Sequence, residues 1–80
     1  MTERLKYQGR LAEKEMEAKK LRLRLTGLRD SLRDNLDPFV LIEDLNGELI
    51  AEEALEFTGT WAELRAVLAT IDSIKNILGK

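Results

Sequence analysis

The chain predicts an all-α fold: an antiparallel hairpin of two long, coiled-coil-like helices that dimerises into a four-helix bundle. Three observations carry this expectation. The composition is rich in Leu, Ala, Glu, Lys and Arg, with 35% charged residues, one proline and 5% aromatics, the profile of long helices. Two apolar series repeat in alternating steps of four and three, one on each side of a central break, as coiled-coil heptads do. A chain of 80 residues lies near the size at which one core leaves little margin and oligomerisation supplies the rest.

The first helix is expected over roughly residues 3–35, on the series Tyr7, Leu11, Lys14, Ala18, Leu21, Leu25, Leu28, Leu32. Within it, LRLRL at 21–25 alternates like a strand, but its flank AEKEMEAKK favours helix, and Gly27 is tolerated at a cost of about 1 kcal/mol. Leu23 then falls with Met16 on the side opposite the seam, with Leu5 and Ala12 nearby. The helix thus has a second, weaker apolar face.

A connector is expected over roughly residues 36–46, because Pro38 disfavours a helical Asp37 and removes a backbone donor. Asn46-Gly47 is a hairpin-turn signal, yet pairing across it sets Leu45 opposite Glu48 and Leu41 opposite Glu52, so neither face becomes apolar. Asn46 reads better as the N-cap of a second helix, whose early acids lie in the positive field of the helix start. Val40, Leu41 and Ile42 are expected to cover the closed end of the hairpin.

The second helix is expected over roughly residues 47–78 on the series Ile50, Ala54, Phe57, Trp61, Leu64, Leu68, Ile71, Lys75, Leu78. Its phase runs unbroken through Gly59, although a kink there or a new start at Thr60 is the alternative. Gly79 is the expected stop. Phe57 and Trp61 read as core rather than as binding anchors, whereas Tyr7 is open to either role. Zipping the two series antiparallel pairs Leu32 with Ile50, Leu28 with Ala54, Leu25 with Phe57, Leu21 with Trp61, Ala18 with Leu64 and Leu11 with Ile71, or the same pattern slipped by a heptad. In this register Glu15 faces Arg65. The oligomer contact is expected from Leu5, Ala12, Met16 and Leu23, widened by Val67 and Ile74 of the second helix.

Charge divides unevenly. Residues 1–33 carry ten Lys or Arg against five acids, +5, and residues 34–80 carry three against ten, −7. The basic run Lys19, Lys20, Arg22 and Arg24 could meet a nucleic-acid backbone, but Glu13, Glu15, Glu17 and Asp30 are interleaved with it and the bland reading is a solvated face. Glu52, Glu53 and Glu56 have the one-turn spacing of a carboxylate metal site, without the histidines such sites use. The chain has neither Cys nor His, which removes disulfides, thiol nucleophiles and thiolate or imidazole metal sites. With no phosphate loop and no nucleophile–base pair in the sequence, neither an enzyme nor a cofactor is expected. The charged start MTERLKYQGR and the lack of a long apolar run predict a soluble cytoplasmic protein without signal peptide or membrane span.

The order of a charged leucine-rich helix, then LDPF at 36–39, EDL at 43–45, AELR at 62–65 and IxxIK at 71–75 resembles small proteins encoded in Mu-like prophages of bacteria. It covers roughly the last fifty residues. The resemblance implies a small cytoplasmic phage accessory protein and carries over no site residues. Together these readings predict a non-catalytic protein that acts by binding itself or another protein, with nucleic-acid binding through the basic first helix as the alternative.

Overall fold

The computed structural model describes residues 2–79. Helix α1 spans Glu3–Asn35 and helix α2 spans Gly47–Leu78, joined by a segment that contains a single 3-10 turn, Ile42–Asp44. The two helices pack against each other along a rod of 61 × 17 × 14 Å, and no strand occurs among the described residues.

Local chemistry fixes each helix end. The Leu36 N–H bonds the carbonyls of Leu32 and Arg33 at 2.9 and 3.3 Å, which closes α1. The Asp37 carboxylate then accepts the Phe39 N–H at 2.9 Å, and its carbonyl accepts the Val40 N–H at 3.1 Å. This is an Asx-type turn, for which Pro38 presets the backbone. The Asn46 side chain accepts the Leu49 N–H at 3.1 Å and so satisfies a donor that the first turn of α2 leaves free. Gly59 lies inside α2 without a break. Gly79 closes the helix with φ 76°, its N–H on the carbonyls of Lys75 and Asn76, a left-handed cap that glycine adopts at no steric cost.

On α1 the buried residues are Leu11, Ala18 and Leu25, with Tyr7, Leu21, Leu28, Leu32 and Asn35 half-buried between or beside them. The seam therefore follows the expected series. On α2 the buried residues are Thr60, Val67, Ile71, Ile74 and Leu78, with Ile50, Glu53, Phe57 and Leu64 half-buried. Four of the nine residues of the expected α2 series, Ala54, Trp61, Leu68 and Lys75, are thus corrected. Ala54 and Trp61 are exposed, Leu68 is only half-buried at the flank, and Glu53, Thr60, Val67 and Ile74 take the inward places. The physical reason is visible at the open end. A stripe through Leu68 and Lys75 would bury an ammonium, which is costly without a partner, whereas rotating α2 slightly buries two compact β-branched side chains instead.

The register is also corrected. Asn35 bonds Glu53 across the helices, and setting those residues opposite each other places Leu32 by Phe57, Leu25 by Leu64, Ala18 by Ile71 and Leu11 by Leu78. One groove agrees with this, holding Ala18 with Ile71; the groove at Leu25 holds both Phe57 and Leu64. This register is the one-heptad slip of the expected zipper. The Arg24–Glu56 ion pair reaches obliquely along the surface and joins residues out of that register.

Candidate interaction surfaces

Three surfaces remain outside the seam. The first is the outer strip of α1, where Leu5, Ala12, Met16 and Leu23 are all exposed, Leu23 at 67%. Val67 and Ile74 do not extend it: both are buried in the hairpin's own core with Leu11, Ala18, Ile71 and Leu78. Their expected place in an oligomer contact is therefore withdrawn, because a side chain covered within the chain has no surface left to offer a second copy.

The second surface is the basic flank. Lys19 and Arg22 line a groove with Glu15, Leu68 and Lys75, while Arg22 and Arg29 line the next one with Phe57 and Leu64. Lys20 is exposed. Arg24 is engaged by Glu56, so the four residues of the basic run do not form a uniform set. Trp61, 46% exposed, carries the Arg65 guanidinium over its ring at 5.2 Å, within cation–π range. Arg65 is thereby turned to Trp61 rather than to Glu15. The carboxylates with metal-site spacing are likewise dispersed, Glu53 to Asn35 and Glu56 to Arg24.

The third surface is the closed tip, which sequence reasoning misplaced. Val40, Leu41 and Ile42 do not cover the end of the core; they project from it, with Leu41 65% and Ile42 83% exposed and Phe39 beside them at 95%. The 3-10 turn aims them outward, the Asp44 N–H bonding the Leu41 carbonyl at 2.9 Å. The signal was in the sequence. The apolar run follows directly on a turn-forming Asp-Pro, and the short 3-10 turn after it leaves these side chains outside the helix pair.

These surfaces and this fold define a two-helix antiparallel hairpin. No protein-family model matches the chain, and comparison with curated proteins and with solved structures gives no match. No helix among the described residues is long and apolar enough to cross a membrane.

Proposed function

We propose that the chain is a non-catalytic interaction protein that binds a second copy through the outer strip of α1, forming a twofold four-helix bundle. The observation that carries this reading is the exposure of Leu5, Met16 and Leu23 on the side of α1 away from its seam. Covering Met16 and Leu23 would contribute about 1.5 to 3 kcal/mol for each fully buried side chain. The resemblance of the motif order to small proteins of Mu-like prophages fits an accessory role in the bacterial cytoplasm. Sedimentation equilibrium tests the contact. At equal concentration the wild type is expected to have a higher average mass than the Met16→Glu, Leu23→Glu variant, whose helicity is unchanged; a wild type no heavier than that variant at about 10 to 100 µM overturns the reading.

The second reading is nucleic-acid binding along the basic flank. It is favoured by Lys19, Lys20 and Arg22, which form none of the ion pairs among the described residues. Retention of single-stranded or duplex DNA that falls steeply with salt and disappears when Lys19, Lys20 and Arg22 are neutralised supports it. Absence of retention at low salt ends it.

A further inference from the structure

The two ends of the rod are chemically opposite. At the closed tip Phe39, Leu41 and Ile42 stand in water on a hydrogen-bonded turn, and residues 34–48 carry five acids, Asp34, Asp37, Glu43, Asp44 and Glu48, with no Lys or Arg. At the open end Arg4, Lys6, Arg10 and Lys14 outnumber Glu3 and Glu13 over residues 2–14, beside the exposed Leu5 and Ile77. There Lys6, Tyr7 and Arg10 with Glu3 line a shallow pocket of about 150 Å³. The Arg10 guanidinium lies 5.9 Å from the centre of the Tyr7 ring, so the pocket joins an aromatic wall to a cationic rim.

We propose that the closed tip of one hairpin docks on the open end of a second copy, with Phe39 entering the Lys6–Tyr7–Arg10 pocket and Asp37, Glu43 and Asp44 facing its cationic rim. This contact is separate from the outer strip and does not depend on it. Two tips would set like charges against each other, and an anionic membrane would meet the same acids, so the basic end of another copy is the occupant that complements both the apolar and the acidic character of the tip. The contact is heterologous. Each docking leaves one tip and one open end free, and association continues as a row of hairpins with a repeat near the 61 Å length of the molecule.

The test uses the full chain with Met16→Glu and Leu23→Glu, so that the outer-strip contact is removed beforehand. Two variants are made in that background: Phe39→Asp, which disables the tip, and Lys6→Glu with Arg10→Glu, which disables the open end. All three changes are at surface positions, and circular dichroism verifies the helices. In sedimentation velocity the parent is expected to grow in average mass with concentration over about 10 to 100 µM and to shrink with added salt. Each variant alone is expected to stay monomeric, while their equimolar mixture forms a dimer and nothing larger, since each supplies the one end the other lacks. Phe39→Ala, which adds no charge, is expected to behave as Phe39→Asp does. A parent that is monomeric throughout, a mixture that fails to associate, or a mixture that grows beyond the dimer overturns the proposal. None of these results bears on the outer strip, which the Met16 and Leu23 comparison decides separately.

Discussion

Ile74 and Ile77 are the same residue three positions apart on one helix, and the fold assigns them opposite fates. Ile74 is 2% exposed inside the core cluster, whereas Ile77 is 58% exposed. Replacing Ile74 by Ala deletes three carbons, which at about 0.8 kcal/mol each gives roughly 2.4 kcal/mol of lost transfer energy. The void left between α1 and α2 adds to it, so a total of about 3 to 4 kcal/mol is expected, inside the usual range for such truncations. For a domain of this size that corresponds to a fall of very roughly 12 to 30 °C in melting temperature. Ile77→Ala should cost no more than about 0.5 kcal/mol, as exposed substitutions do, and the higher helix propensity of Ala offsets part of that. Urea unfolding followed by circular dichroism at a fixed, low protein concentration measures both. The reasoning fails if the two costs differ by less than about 1 kcal/mol, because α2 would then present a different face to α1.

Three further outcomes follow from local geometry. A Cβ at Gly27 or Gly59 would meet nothing within 4 Å, so Ala at either position should raise stability by about 0.5 to 1 kcal/mol, read as an increased urea midpoint. Asn46→Ala removes the cap on Leu49 and should cost about 1 kcal/mol, with Asn46→Asp retaining most of the stability. In a chain without cysteine, Ala18→Cys with Ile71→Cys should oxidise to an intrachain disulfide faster than Ala18→Cys with Leu64→Cys; the reverse order would restore the unslipped zipper.

The fold was legible because its main determinants are local. Heptad spacing over some thirty residues on each side of the break specifies helices, and Pro38, Asn46 and Gly79 punctuate them through backbone geometry that each side chain brings with it. What was not legible is rotational. Along α2 two stripes one residue apart, through Ala54, Trp61, Leu68 and Lys75 or through Glu53, Thr60, Val67 and Ile74, share the same partners at Phe57, Leu64 and Ile71. Large apolar residues weight the first stripe and compact ones the second, so the choice depends on what α1 can accommodate. The register has the same origin. Each series repeats every seven residues, so a slip by one heptad keeps apolar opposite apolar, and the distinguishing contact is the polar one between Asn35 and Glu53. The outer strip on α1 was readable since it required only the phase of α1, whereas Val67 and Ile74 were misassigned through the phase of α2.

That same rotation leaves the hairpin unevenly held. The open half encloses Leu11, Ala18, Val67, Ile71, Ile74 and Leu78 in one cluster. The closed half buries only Leu25 and Thr60, and its last layer before the connector is the polar Asn35–Glu53 pair, with Leu28, Leu32, Ile50 and Phe57 half in water. Fewer fully covered apolar groups mean less free energy lost when the helices part, so opening should begin at the connector and run toward Thr60 while the far end stays zipped. Hydrogen exchange measured by mass spectrometry resolves the two halves of α2 directly. Amides between Ile50 and Thr58 are expected to exchange much faster than those between Val67 and Ile77, and Ile74→Ala should erase most of the difference by bringing the protected half down. Uniform protection along α2, or a closed end that outlasts the open one, would show that the half-buried layers hold the helices together as firmly as the fully buried cluster does.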